Sequence, residues 1–195
     1  QALYYRKLLL ENKKFSIFEY KNEIRKIEIK DLKKFVGKLY EKNYIEGFAY
    51  GNLEPNNVKK TLEEFTIKLV GSPLKKTKQF INSVRQISNG NTHTFLREML
   101  EDNTAVLMEY QIGQRNPKLL ALVMIIERLL EAEFYNNLRT KQQLGYIVDS
   151  SMTMLENTMG LMFLIQSNEK DSETLVQRMN NFLGNFYFIL KNLTS

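Results

Sequence analysis

The chain has no cysteine, no tryptophan, three prolines and one histidine, His93, in 195 residues. Without cysteine there can be no disulfide framework, no thiolate zinc site and no cysteine nucleophile. The same absence leans the compartment toward the cytosol and leaves a secreted origin open. A catalytic zinc ion needs about three protein ligands and an open position, drawn from His, Cys and carboxylates, so one histidine cannot build a His-based site. One histidine also excludes a His-dependent triad, since no Gly-x-Ser-x-Gly elbow surrounds any serine. His93 reads as a structural or surface residue. Phosphate-cradling loops of the Walker or Gly-x-Gly-x-x-Gly type are missing too, so nucleotide cofactors have no support. The longest apolar run, residues 119–126, is closed by Glu127 and Arg128. It falls far short of the roughly 20 residues that cross a bilayer, so no membrane partner is expected.

What is present describes a globular chain, 43% hydrophobic and 26% charged. The length exceeds the common single-domain size of about 100 to 150 residues, which suits one domain plus a piece of another. The chain opens on Gln1 and stops at Ser195 after an amphipathic stretch, and so reads as a segment of a longer polypeptide. The net charge of +6 is uneven. Residues 1–80 hold 18 Lys+Arg against 10 Asp+Glu, and residues 81–195 hold 10 against 12. A basic adaptor for nucleic acid is one reading of that asymmetry. Most of those cations, however, are lysines interleaved with glutamate at helical spacing, which describes a solvated surface. Nucleic-acid modules more often interleave arginine with aromatics. No nucleic-acid partner is therefore expected.

Local signals give an order of elements. An apolar-rich helix covers residues 2–10, and Ser16 with Glu19 forms a capping box that opens another helix. Leu32, Phe35, Val36 and Leu39 place a stripe on a third. Residues 44–50 have strand composition and end at the turn pair Gly51-Asn52. Asn57 can cap a helix with Val58, Leu62, Phe65 and Leu69 inside, ended by Gly71-Ser72-Pro73. Beyond this break, residues 92–100 and 104–112 read as a hairpin turning at Glu101-Asp102-Asn103. Asn116-Pro117 starts a helix to about Asn137, so apolar early on that it should be largely buried. Residues 146–154 and 159–166 form a second hairpin, whose segment 161–165 is apolar on both faces, as in a covered central strand. Asp171 and Ser172 open a last amphipathic helix. The fold class is thus α/β in the broad α+β sense, with antiparallel sheets packed on helices. Residues 1–71 and 79–195 are assigned to separate incomplete units joined by a linker at 72–78. Each unit would leave apolar surface or a strand edge uncovered, so self-association is expected.

One stretch concentrates chemistry: Asn137-Leu-Arg-Thr-Lys-Gln-Gln-Leu-Gly-Tyr-Ile-Val148. It carries a guanidinium, Arg139, and a phenol, Tyr146, from a helix end through Gly145 into a strand. Five fixed donors and one O–H are a kit for holding a peptide carbonyl or a developing oxyanion. An arginine that caps helix carbonyls and a tyrosine that packs would also account for them.

The stretch resembles the Leu-Arg-Thr-x-x-Gln-Leu-Gly-Tyr-x-Val signature of the insulinase, or inverted-zincin, metallopeptidases. Gly160-Leu-Met-Phe-Leu-Ile-Gln-Ser167 resembles the Gly-Leu-x-Phe-x-Ile-Gln-Ser strand that follows in that family. Tyr44-Ile-Glu46 with Gly51-Asn52 resembles an earlier Ile-Glu-x-x-x-x-Gly-Asn strand. The likeness is dense over residues 130–167 and looser elsewhere. It implies a parent of four similar domains whose halves close around a peptide, with zinc held by a His-x-x-Glu-His motif in the first. This chain would supply the end of the third domain and the start of the fourth. Its partners would be peptide substrates and the N-terminal catalytic half of the same polypeptide. Arg139 and Tyr146 match the family's residues that reach toward the scissile bond. The zinc motif itself is absent, so the resemblance implies no metal or catalytic residue here and places the zinc cofactor in the parent's other half. An inactive scaffold or peptide-binding relative is the alternative.

Overall fold

The computed structural model describes residues 1–69, 72–75, 81–98 and 100–193. They divide into two compact units, Gln1–Lys14 with Asn82–Ser195, and Phe15–Ile81.

In the first unit, β3 (Thr104–Gln114), β4 (Ile147–Leu155) and β5 (Thr158–Ser167) form an antiparallel sheet in the order β3-β5-β4. The β4–β5 hairpin follows the sequence expectation, and β5 is the central strand that its two-sided apolar pattern requires. Two long helices cover one face. The first, α5 (Pro117–Phe134), starts at Asn116, whose side chain accepts the Leu119 N–H at 2.9 Å, with proline at the first helical position. The other, α6 (Ser172–Leu193), opens where Asp171 Oδ1 accepts the Thr174 N–H at 2.7 Å. Phe134 and Leu138, Leu175 and Met179, and Phe163 and Ile165 of β5 are all buried in one core. Phe134 lies 5.3 Å from both Phe163 and Phe182, the latter edge-on.

Alternation along β3 sends Met108 into that core and Glu109 to the reverse face. There α1 (Ala2–Leu10) docks through a two-pronged ion pair from Arg6 to Glu109, both side chains nearly buried. Glu109 also accepts a bond from Thr153 Oγ1 of β4 at 3.0 Å, across the central strand. Gly160 makes this reach feasible: a Cβ there would sit 3.0 Å from Thr153 Oγ1 and 2.7 Å from the Tyr110 carbonyl oxygen.

The second unit holds α2 (Ile17–Ile24), α3 (Ile29–Leu39), α4 (Pro55–Leu69) and a two-residue parallel pair, β1 (Lys42–Asn43) with β2 (Ser72–Pro73). The expected capping box forms: Ser16 Oγ accepts the Glu19 N–H and Glu19 accepts the Ser16 N–H at 2.6 Å. α2 and α3 bury no residue, and Phe35, Phe48 and Tyr50 stand exposed.

Several expectations are corrected. Residues 44–50 form no strand, because among the described residues the ladder with β2 takes in Lys42 and Asn43 and goes no further along this segment. Asn57 is not a cap: its N–H and that of Val58 donate to the Glu54 carbonyl, so α4 begins at Pro55. The described residues of 92–100 make no strand either, and β3 pairs with β5 instead. Phe95 and Arg97 lie against the Tyr5 ring, at 5.5 and 5.0 Å. The early part of α5 is not largely buried. Only Val123, Leu130 and Phe134 are fully enclosed, while Leu122, Met124, Ile125 and Leu129 are exposed, because one helix face alone meets the sheet. Residues 1–14 group with the later part, tied by the Arg6–Glu109 pair and a Glu11–Val84 bridge. The linker at 72–78 lies partly outside the described residues.

Candidate functional site

The motif is built on the exit from α5. Past Phe134 the helix widens into a π-helical segment, Tyr135–Lys141, with Leu138 fully buried on the same side as Phe134. The closing backbone bonds run from Gln142 N–H to the Asn137 carbonyl, 3.1 Å, and from Leu144 N–H to the Leu138 carbonyl, 3.0 Å. These span five and six residues, where an α-helical bond spans four. The extra length turns the chain so that Leu144 regains the core three residues after the segment ends.

Two backbone features complete the turn. Gln143 adopts a left-handed conformation, φ 52°, which stops the helix. Gly145 then presses on β5: a Cβ there would lie 2.0 Å from the Gln166 carbonyl oxygen and 2.7 Å from its carbon. No other residue fits that approach. β4 starts two residues later, with Ile147 paired to Gln166.

Arg139 is half-buried within the π-helical segment and Tyr146 is 84% exposed at the head of β4. Neither side chain makes a hydrogen bond or ion pair among the described residues. The structure thus sets both on one short, tightly constrained reversal and leaves their donors unclaimed. Their neighbours are not equivalent. Thr140 and Lys141 are exposed, whereas Gln142 is half-buried and its Nε2 donates to Asn137 Oδ1 at 2.6 Å. The sequence reading missed the π-helical segment and the Asn137–Gln142 pair. An amide pair five residues apart was the visible signal, and it lies outside the three- and four-residue spacings of an α-helix.

Elsewhere little chemistry gathers. His93 is exposed, and no three of His, Asp and Glu approach closely enough to hold a metal ion among the described residues. The residues present therefore do not fit zinc. Among the same residues no helix is long and apolar enough to cross a membrane. An open groove of about 750 Å³ runs along α4 past Leu53, Val58, Leu62 and Ile67, mostly apolar and without a titratable cluster.

Comparison with known proteins locates the likeness. The family model for the PQQ synthase PqqF-like C-terminal lobe domain 4 matches residues 125–195. Insulin-degrading enzyme-like 2 of Arabidopsis thaliana is 24% identical over 192 residues, 94% of this chain and 20% of that protein. Insulin-degrading enzyme of Homo sapiens is 26% identical over 188 residues, 93% of this chain and 18% of that protein. The A-factor-processing enzyme of Saccharomyces cerevisiae is 25% identical over 97% of this chain and 19% of its own length. The chain thus spans about a fifth of the length of these curated relatives. Among solved structures, pitrilysin superposes with a TM-score of 0.72 and 19% identity over 89% of this chain and 18% of that one. The mixed helical and antiparallel architecture is therefore that of a pitrilysin-like fold.

Proposed function

We propose that this chain, which is homologous to the C-terminal portion of the insulinase-family zinc peptidases, forms a noncatalytic wall of a peptide-degrading chamber and contacts the scissile bond with Arg139 and Tyr146. The observation that carries the reading is the reversal from Tyr135 to Ile147. Buried Leu138 and Leu144 and the close approach of Gly145 fix its backbone, while the Arg139 guanidinium and the Tyr146 phenol, both able to donate to a carbonyl oxygen, are left unpaired among the described residues.

The chemistry follows from the donors. A peptide carbonyl attacked by water becomes a tetrahedral oxyanion, and a phenol O–H and a guanidinium N–H preset toward it are worth more to the anion than to the neutral ground state. Zinc, when bound by the rest of such a peptidase, supplies Lewis-acid polarisation and an activated water. In this reading this chain holds no ligand to it, and its residues only bind and orient the peptide. The match of residues 125–195 to a fourth-domain model supports reading the later part of the chain as the start of the fourth domain, and in this reading the earlier residues are the end of the third. The N-terminal catalytic half of the same polypeptide and peptide substrates are then its partners. The exposed apolar residues of α5 favour association with further chain or with a second copy.

The test uses the whole peptidase carrying this segment. Tyr146→Phe and Arg139→Ala are expected to lower turnover by on the order of 10², the scale of losing one oxyanion donor, with smaller changes in KM. Thr140→Ala and Lys141→Ala should leave turnover near the starting value, and all four variants should melt alike. Unchanged turnover in the first two, or a loss only in proportion to lost folded protein, returns Arg139 to helix capping and Tyr146 to packing. No peptidase activity in the whole protein would favour the inactive relative.

A further inference from the structure

We infer that Asn137 and Gln142 are positioning residues whose side-chain clasp holds the π-helical turn, and with it Arg139, in the geometry the proposed site uses; the inference rests on that functional reading. Residues 137 and 142 are joined twice. The Gln142 N–H donates to the Asn137 carbonyl at 3.1 Å, and Gln142 Nε2 donates to Asn137 Oδ1 at 2.6 Å. Together they close a ring around residues 138–141. Leu138 anchors the inner side of that ring in the core, and Arg139 is its next residue.

The clasp has a feature that stability alone does not explain. Gln142 Oε1 is buried and has no hydrogen-bond partner among the described residues. A buried acceptor left unpaired is costly, and a side chain of the same shape without polar atoms can be neutral or better for the fold. Methionine at 142 would fill the space, lose the clasp and remove the orphan acceptor. A glutamine there contributes something other than stability. Its bond to Asn137 is the only side-chain bond it makes among the described residues, so releasing Asn137 Oδ1 frees the whole amide. The π-helical turn would then have its backbone bonds and the packing of Leu138 and Leu144, without the side-chain clasp, to resist relaxing toward ordinary α-helical spacing, which would rotate Arg139 about the helix axis. Misplacement by about 1 Å far from the chemistry is enough to cost up to 10²-fold in rate.

The test is a set of variants in the whole zinc peptidase that carries this segment, with turnover, KM and melting temperature measured for each. Gln142→Met is expected to melt at or above the wild-type temperature while turnover falls about tenfold and KM stays within about twofold. Asn137→Ala should match it in turnover. Asn137→Asp, which keeps an acceptor for Nε2, should restore most of the activity. The double variant Asn137→Ala with Gln142→Met should be no worse than either alone, because one clasp can be lost only once. Arg139→Ala serves as the reference. If it lowers turnover while Gln142→Met does not, the clasp is overturned and the functional reading stands. If Arg139→Ala and Tyr146→Phe both turn over like wild type, the functional reading falls and this inference with it. Activity lost at Gln142→Met only in step with melting would make the pair purely structural and overturn the inference as well.

Discussion

Replacing Gly145 by alanine tests the geometry on which the reversal depends. The added Cβ would stand 2.0 Å from the Gln166 carbonyl oxygen, where an ordinary carbon-to-oxygen contact is at least about 3.3 Å. The nearest atoms, of Gln166 and Ser167, are all backbone, so no rotamer change relieves the clash and the strands must part by about 1 Å. Overpacking of this kind costs about 1–3 kcal/mol, and parting the end of the β4–β5 ladder gives up a bond or so at about 1 kcal/mol each. A loss of about 2–4 kcal/mol follows. Amide hydrogen exchange reads it directly: protected amides of β4 and β5 should open about 30- to 10³-fold more often, at tenfold per 1.4 kcal/mol. Gly184→Ala is the matched control. It lies inside α6 with open space around its Cβ, so alanine should leave stability unchanged or raise it by up to about 1 kcal/mol. Exchange in Gly145→Ala within a factor of about two of wild type would refute the contact and the account of why glycine stands there.

Two further outcomes are expected. Arg6→Met strands Glu109 in a nearly buried site with Thr153 as its remaining donor among the described residues and should destabilise the first unit by about 3–5 kcal/mol; the double change with Glu109→Leu should recover most of that loss, and equal costs for single and double variants in denaturant titrations would refute the pairing. Asp171 gives a pH dependence of known sign. Its bond from the Thr174 N–H holds its carboxyl below the ordinary carboxylate range, so its support of α6 is full above the unfolded value of about 3.9 and is lost as pH falls through the folded one. Asp171→Asn keeps the acceptor without the titration and should flatten that acid limb of a melting-temperature profile; an unchanged slope would count against the cap.

The legible parts of the sequence were those decided by local chemistry. Asn116-Pro117 and Ser16 with Glu19 state their helix starts because the capping groups sit within one turn of each other. The two-sided apolar run of β5 announces a central strand because both of its faces are covered. The missed parts depend on distant partners. Residues 44–50 have strand composition yet no ladder, and residues 92–98 pack beside Tyr5 in place of pairing with β3. Burial of α5 was overestimated because hydrophobicity marks what a helix could bury, while the sheet covers only the side bearing Val123, Leu130 and Phe134. At the site, Arg139 and Tyr146 stood out by residue type. The widened turn between them did not, since a π-helical segment leaves no repeat in composition.

The order β3-β5-β4 has a consequence for a chain made from its N-terminus. β3 ends at Gln114, and β4 is finished at Leu155, before either has a partner in the sheet. Every rung between these three strands awaits β5, the last of the three to be synthesised, and α6 closes the core only after it. Until Ser167 has emerged, the nascent protein carries two unpaired strands and an apolar α5 with nothing to lie on. This interval is when it would most need the protection of a chaperone.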